Sequence, residues 1–221
     1  MQFAAFPSDE PPTLARRRGF MRSLRAWRLS CAALALASSL APSVGGAAPV
    51  ALAAPPGALA EVFFSPGSHA DQALASAIAG ATSRVWLAGY YFSSAPIAKA
   101  LRDAQARKLD VRVVLDRSQA TQKYSGAMFL FNQGVPLWID SRYPIMHHKF
   151  LVIDADTIGF GSMNFTRAGA EKNAENFNLF RRWPQLAQVY AREFARLERE
   201  SQVYRPGMLV EPAPADFGVI E

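Results

Sequence analysis

The stretch from His147 to Asn164 constrains the fold of this chain more tightly than any other segment. It reads HHKFLVIDADTIGFGSMN, in which two apolar runs flank an Asp-Ala-Asp turn. Short apolar runs rich in β-branched and aromatic residues, joined by such a turn, are typical of paired strands. The predicted strands are Lys149 to Ile153 and Thr157 to Gly161. The polar residues before the first strand and after the second are thereby expected to converge.

Four polar side chains border this strand pair. Because side chains alternate along a strand, His147 and Lys149 project to one face, whereas His148 projects to the other. The same rule places Ser162 and Asn164 on a common face. Imidazole, ammonium, hydroxyl and amide groups suit chemistry on a phosphodiester, as nucleophile, neutraliser of charge and neutral donors. We therefore expect the four groups to meet at one phosphate.

These residues resemble the HxK(x)4D(x)6GSxN motif of the phospholipase D superfamily. The motif is filled without a gap by His147, Lys149, Asp154, Gly161, Ser162 and Asn164. The continuation GSMNFTRAGAEKNAENFNLF, which contains Glu175, resembles the small single-motif bacterial endonucleases of the superfamily, the Nuc-like enzymes. The order of segments from about Glu61 to Tyr204 is also similar. The resemblance implies a phosphodiesterase in which His147 attacks phosphorus and forms a phosphohistidine that water resolves.

The other polar residues are candidates for roles around His147. Lys149 and Asn164 are the candidate substrate-binding residues: the ammonium neutralises a non-bridging phosphate oxygen and the amide donates beside it. Ser162 either contacts the phosphate or the imidazole, or only shapes the turn. Glu175 is the candidate to hold the second ring nitrogen of His147, as in catalytic triads; the alternative is a surface glutamate.

Two motif residues are expected to be structural. Asp154 lies about 16 Å from Lys149 if the strand is extended, so we expect it to bind its own turn or an arginine. Gly161 belongs to the same scaffold. No cofactor and no metal are predicted, because three histidines without a carboxylate cluster at ligand spacing do not resemble a two-metal nuclease site.

The chain carries the motif once, although the implied mechanism needs two imidazoles. The leaving oxygen requires a proton while the nucleophile must be neutral. His148 is expected to face away, and His69 lies far upstream. A two-fold homodimer that brings two copies of His147 to one shared site supplies the second imidazole. The Nuc-like enzymes also have one motif, and their dimeric architecture supports the same expectation.

Strands and helices alternate early in the chain, and consecutive strands follow. The predicted helices are 70–81, 95–108, 124–133 and 185–204, and the remaining predicted strands are 84–92, 111–115, 135–139 and 176–180. This order predicts an α/β fold, a mixed β-sheet flanked by helices on both faces, as in the phospholipase D-like α/β sandwich. The predicted domains are an export signal and linker (1–53), the catalytic domain (54–204) and an irregular C-terminal tail (205–221).

Most of the net charge of +6 lies in the N-terminal segment. Residues 1–53 hold six of the 24 basic and two of the 18 acidic residues, which leaves 18 basic and 16 acidic residues, a net charge of +2, for the rest. A basic stretch, an apolar run of about 12 residues and A-x-A sites are typical of an export signal, by the twin-arginine or the general secretory route. The run is shorter than the ~20 residues that span a bilayer, so no stable membrane anchor is expected. We expect a periplasmic or secreted bacterial protein.

The motif specifies a phosphodiester but not the groups that it links. The single motif and the flanking segments favour a non-specific endonuclease that acts on DNA, with RNA as the second candidate. A lipid phosphodiesterase is the first alternative, in which aromatic residues such as Tyr90 and Phe129 meet acyl chains instead of forming core. A non-catalytic nucleic-acid-binding protein is the second. Six basic residues either contact backbone phosphates or only solvate the surface: Lys123, Arg142, Arg167, Lys172, Arg181 and Arg182.

Overall fold

One mixed sheet organises the part of the chain that a computed structural model describes, residues 49–122 and 125–210. Its strands are β1 (Leu59–Ser65), β2 (Arg84–Gly89), β3 (Asp110–Asp116), β4 (Leu137–Asp140), β5 (Lys149–Ile153), β6 (Thr157–Gly161), β7 (Glu175–Arg181) and β8 (Gln202–Val203). The helices are α1 (Ala70–Ala79), α2 (Ala95–Ala106), α3 (Ala127–Asn132), α4 (Arg167–Glu171) and α5 (Pro184–Glu200), and a 3-10 helix covers Arg117–Ala120. In space the strands follow the order β1-β7-β6-β5-β2-β3-β4-β8. Most of the predicted export signal, the end of the predicted tail and Lys123 lie outside the described residues.

The strand pairing brings the ends of several strands to one edge of the sheet. β2, β3 and β4 run parallel, whereas β5, β6 and β7 pair antiparallel with their neighbours. Gly89 at the end of β2 lies opposite Lys149 at the start of β5. Gly161 at the end of β6 lies opposite Phe177 near the start of β7. The carboxyl ends of the parallel strands, where ligands bind in open α/β sheets, therefore lie beside both halves of the sequence motif.

Alternating apolar residues build two cores, one on each face of the sheet. In β2, Val85 and Leu87 pack into the core beneath α1 and α2, whereas Trp86 and Ala88 face α5. Trp86 stacks on Phe194 of α5, with the ring centroids 5.3 Å apart. Full burial of each large apolar side chain contributes about 1.5–3 kcal/mol. Helices thus cover both faces, which confirms the predicted α/β fold with a mixed sheet between helices.

The sequence pattern does not predict β1, β8 or α4. β1 pairs with β7 along its whole length. Its residues Leu59, Val62 and Phe64 are nevertheless exposed, so this edge strand lacks the alternation of buried and exposed positions that marks a strand in sequence. β8 and α4 are too short to show a period. No helix of the described residues is long and apolar enough to span a membrane.

Candidate active site

His147 lies in the loop that leads into β5 and packs against an aromatic residue at the end of β2. Its ring centroid is 4.7 Å from that of Tyr90. The N–H of Tyr90 donates to the carbonyl oxygen of His148 at 3.0 Å, which ties the loop to β2. Partial burial lowers the pKa of His147 below its ordinary value, and the ammonium of Lys149 lowers it further, while Asp116 raises it. These effects favour the neutral imidazole, the form that a nucleophile requires.

Lys149 is the first residue of β5, and its side chain is buried beside His147. Its Nζ donates to the carbonyl oxygen of His147 at 2.8 Å and lies 5.3 Å from the ring centroid of Tyr90. Burial lowers the pKa of Lys149, whereas the carboxylate of Glu175 raises it. An ammonium has three N–H donors. One donor is used by the bond to His147, so the other donors of Lys149 are available to an anion beside His147 and Tyr90.

Ser162 and Glu175 form a hydrogen-bonded pair on the next two strands. Oγ of Ser162 donates to Oε2 of Glu175 at 2.6 Å and accepts from the N–H of Asn176 at 3.0 Å. Oε1 of Glu175 accepts from Nδ2 of Asn173 at 3.3 Å. The prediction that Glu175 holds the second ring nitrogen of His147 stays a prediction, because these contacts are those within one chain. Within the chain the carboxylate binds Ser162, because β7 is paired with β6.

Gly161 and Asn164 complete the second half of the motif. A Cβ at position 161 would collide with the carbonyl group of Asn176, so only glycine allows β6 to approach β7 this closely. The amide oxygen of Asn164 is buried and makes no hydrogen bond to any residue in the described ranges. Buried polar groups without a partner are rare in proteins. This unpaired atom is an acceptor, whereas the group that can donate to a phosphate is the Nδ2 of the same amide.

Asp154 binds the backbone of the loop between α1 and β2, at the far end of β5. Its carboxylate accepts hydrogen bonds from the N–H groups of Thr82, Ser83 and Arg84 and from the hydroxyls of Thr82 and Ser83, at 2.7–3.1 Å. These bonds outweigh burial and lower the pKa of Asp154 to about 2. The backbone of Asp154 is left-handed, with a φ of 51°. Asp154 therefore connects two loops and lies at the end of β5 that is opposite to His147 and Lys149.

Two buried aspartates support the loop that carries His147. Neither was among the site residues predicted from the sequence. Asp116 ends β3, and its Oδ2 accepts from the N–H of Met146 at 2.9 Å. Asp140 ends β4 and accepts from the N–H of Arg142 at 2.9 Å. Burial raises the pKa of Asp140. Each aspartate follows an apolar strand, VVLD or LWID, and this position is the signal that could have identified them.

Tyr90 lies at the centre of the site, because both His147 and Lys149 contact its ring. From the sequence it was predicted only as a core residue or as one that meets acyl chains. Its hydroxyl hydrogen-bonds that of Tyr91 at 3.3 Å, and this bond is the main cause that raises the pKa of Tyr90 to about 12. The phenol therefore stays protonated at neutral pH. Its position directly after the buried strand β2 is the available signal, because residues at strand ends commonly line ligand sites.

The structure groups the predicted site residues into two contact pairs at one edge. His147 and Lys149 share the ring of Tyr90, and Ser162 is bonded to Glu175; Lys149 and Glu175 interact through their charges. His148 instead contacts α5, with Nε2 3.3 Å from an oxygen of Glu193. Within residues 49–122 and 125–210, no group of three or more His, Cys, Asp or Glu side chains is placed to hold a metal ion.

Comparisons with known proteins point to one family. A family model described as "Cardiolipin synthase, PLD-like domain" matches residues 74–198, more than half of the chain. A phospholipase D from Rickettsia bellii is 37% identical over 113 residues, 51% of this chain and 56% of the relative. A mitochondrial cardiolipin hydrolase from Xenopus laevis is 32% identical over 138 residues, 61% of this chain and 65% of the relative. The chain thus matches little more than half the length of the first of these relatives.

Solved structures share the fold. Nuc from Salmonella typhimurium, described as a phospholipase D family member, is 33% identical and superposes with a TM-score of 0.64 over 67% of this chain and 99% of its own. NucT from Helicobacter pylori is 20% identical, with a TM-score of 0.61 over 66% of this chain and 99% of its own, and shows the fold alone. Together with the intact motif at one sheet edge, these matches show that the chain belongs to the phospholipase D superfamily and resembles Nuc within it.

Proposed function

We propose that this protein is a metal-independent phosphodiesterase, and specifically a non-specific endonuclease that cleaves DNA, with RNA as a second substrate. The observation that carries the proposal is the placement of the imidazole of His147 and the buried ammonium of Lys149 against one tyrosine ring, where the parallel strands end. A nucleophile and a fixed positive charge within one small site suit attack on a phosphodiester anion.

In the proposed reaction, the imidazole of His147 attacks phosphorus and displaces one ester oxygen. A phosphohistidine forms, and the leaving oxygen takes a proton from a general acid. Lys149 and the Nδ2 group of Asn164 donate to the non-bridging oxygens and stabilise the charge that builds up on them. Water then attacks phosphorus, gives its proton to the group that served as general acid, and displaces the nitrogen, which restores the neutral imidazole. No step needs a redox partner or a metal ion.

A symmetric homodimer is part of the proposal because one chain supplies one suitable imidazole. His148 contacts Glu193 on α5. His69 is the N-cap residue of α1. The side chain of His147 is exposed in the single chain, as is the apolar Ile145 two residues before it. A second copy of this face would cover both residues and supply the general acid.

The lowered pKa of His147 predicts the acid limb of the pH–rate profile. The neutral nucleophile is lost as the pH falls through this pKa, which burial and the Lys149 ammonium hold below the ordinary value of about 6.5. We expect kcat/KM for a small phosphodiester to rise with pH along a limb whose apparent pKa lies below 6.5. Lys149→Gln should move this limb to higher pH, because the positive charge is gone. A wild-type limb above 6.5 would contradict the assignment.

Nucleic acid is favoured as substrate by the match to Nuc, which extends over almost all of that chain. The lipid alternative draws on the names of the curated relatives and on the exposed rings of Phe129 and Phe131. The basic residues that were candidates for phosphate contacts differ in their ion pairs. Arg142, Arg167 and Arg181 pair with glutamates, whereas Lys172 has no ion pair among the residues described. Export to the periplasm or medium stays part of the proposal.

One assay tests the proposed function. The purified protein and a His147→Asn variant are incubated in EDTA with plasmid DNA, with RNA and with phosphatidylcholine–cardiolipin vesicles. We expect nicking and degradation of DNA that persists in EDTA and is absent in the variant. Vesicle hydrolysis without nuclease activity would reverse the substrate assignment, and DNA binding without cleavage would favour the binding protein. Loss of activity in EDTA with rescue by magnesium would contradict the metal-independent mechanism.

A further inference from the structure

We propose that a cavity beside the active site is a binding subsite for one unpaired nucleobase of the substrate strand. The inference rests on the proposed nuclease function and adds to it a preference for strands that contain unpaired bases. The cavity, of about 220 Å³, lies between the start of α2 and α3. Ser93, Ser94, Ala98, Lys99, Gly126 and Phe129 contribute to its lining, which is mostly apolar.

The lining of this cavity is linked to the active site along the chain and through backbone hydrogen bonds. Tyr90 packs on His147, and Ser94 follows four residues later. The N–H groups of Ser93 and Ser94 each donate to the carbonyl oxygen of Phe165 at 2.9 Å, and Phe165 directly follows the motif residue Asn164. Four residues of chain span at most about 14 Å. A nucleotide strand held at His147 therefore reaches the cavity within a few nucleotides.

Ser94 indicates that the ligand is polar. It occupies the N-cap position of α2, where a serine normally accepts a hydrogen bond from the helix backbone, yet its side chain makes no capping bond. The residue is 1% exposed, and its Oγ has no hydrogen-bond partner among residues 49–122 and 125–210. A buried hydroxyl left without a partner costs free energy. The edge of a nucleobase offers donors and acceptors that satisfy it, whereas an acyl chain offers none.

Phe129 and a free cation supply the other contacts that a nucleotide needs. The ring of Phe129 lines the cavity and is 37% exposed, so a base can stack on it. Gly126 fixes α3 to the active-site segment, since its N–H donates to the carbonyl oxygen of Phe92 at 2.8 Å. Lys99 at the rim is exposed and has no ion pair within the described ranges, so its ammonium is available for a flanking phosphate.

The subsite predicts a preference for single strands. A base in a duplex is paired and stacked, and it enters a side cavity only after both interactions are broken. A single-stranded or looped region presents its bases without that cost. The cavity thus adds a contact that single-stranded nucleic acid makes and duplex DNA does not.

Phe129→Ala tests the subsite, with Phe131→Ala as the matched control. Phe131 is on the same helix and 40% exposed, but its ring contacts Tyr204, 5.7 Å away, and not the cavity. We expect Phe129→Ala to raise KM about tenfold for a single-stranded oligonucleotide. Its KM for the duplex and its kcat/KM for bis(p-nitrophenyl) phosphate should stay unchanged. Phe131→Ala should leave all three values unchanged, and Ser94→Ala should raise KM for the single strand only.

Abasic oligonucleotides locate the bound base. A strand that lacks the base at one position relative to the cleavage point should bind the wild type more weakly, and Phe129→Ala should not distinguish it from the intact strand. If the wild type cleaves DNA and Phe129→Ala leaves KM for the single strand unchanged, the subsite is refuted while the nuclease stands. If Phe129→Ala impairs hydrolysis of phosphatidylcholine–cardiolipin vesicles but not of oligonucleotides, the cavity takes an acyl chain. If the wild type hydrolyses bis(p-nitrophenyl) phosphate but no nucleic acid, both proposals fail.

Discussion

His147→Asn should reduce kcat by about 10⁴-fold or more, because removing a covalent nucleophile leaves only the binding and electrostatic contributions to catalysis. Asparagine preserves a planar polar side chain of smaller size, so the loop beside Tyr90 should remain folded. The adjacent His148 offers a matched control, since it lies in the same loop but contacts Glu193 and the ring of Phe150. His148→Asn should keep kcat within a few-fold of the wild type. The measurement is single-turnover cleavage of an end-labelled oligonucleotide, with folding checked by circular dichroism.

The same variant tests whether two chains share one site. Wild-type and His147→Asn chains that carry different tags are co-expressed, and the doubly tagged dimers are purified. If each site needs His147 from both chains, these mixed dimers should be nearly inactive. Half of the wild-type activity would show that each chain works alone. A fully active monomer in sedimentation would also exclude the shared site.

Asp154→Ala should lower the free energy of unfolding by about 3 kcal/mol while leaving the chemistry of each folded molecule intact. The substitution removes an ionised acceptor from three backbone N–H groups and two hydroxyls, and a hydrogen bond to a charged group contributes a net of about 1.5–3 kcal/mol. The total stays near the value of one or two such bonds because Thr82 and Ser83 are exposed, so water replaces the lost acceptor at most of these groups. Alanine also fits poorly at a φ of 51°. Asp154→Asn, which tolerates this backbone conformation, should cost less. Urea unfolding followed by fluorescence measures the difference.

Asp156→Ala is the control for the Asp154 prediction, because Asp156 is on the same turn and its carboxylate bonds only the hydroxyl of Thr157, at 3.0 Å, among the contacts in the described part of the chain. Its substitution should cost less than 1 kcal/mol. Because the pKa of Asp154 is lowered to about 2, its stabilising effect is complete above the ordinary value near 4 and is lost as the pH falls toward 2. A stable Asp154→Ala protein with kcat reduced a hundredfold would show instead that Asp154 takes part in the reaction.

Much of the site could be predicted from local sequence because its residues are close together in the chain. His147 lies in the loop before β5 and Lys149 is the first residue of that strand, two positions later, so the alternation of an extended segment predicts that they share one side. Helix and strand types were likewise predictable wherever a long segment has a buried face, as in β2 and α5. The edge strand β1 escaped prediction since exposed and apolar positions coincide in it.

The partner of Glu175 could not be predicted in the same way. By analogy with catalytic triads, the sequence makes Glu175 the candidate to hold the second ring nitrogen of His147, and this stays a prediction. Within one chain, the register of β6 with β7 places the carboxylate 2.6 Å from Oγ of Ser162, a contact that only the strand pairing shows. Asp116 and Tyr90 were missed for a related reason: each is ordinary in its own segment, and only the order of strands in the sheet brings it to His147.

The sequence by itself thus determined the chemical groups, the strand pair that presents them and the family, because those depend on residue identity and on spacing over fewer than about 20 positions. Only the tertiary structure decided which residues surround the imidazole. The carboxyl ends of β2, β3 and β4 reach the start of β5 through packing between segments that lie tens of residues apart. Such long-range pairing follows from burial of both faces of the sheet, and no local pattern encodes it.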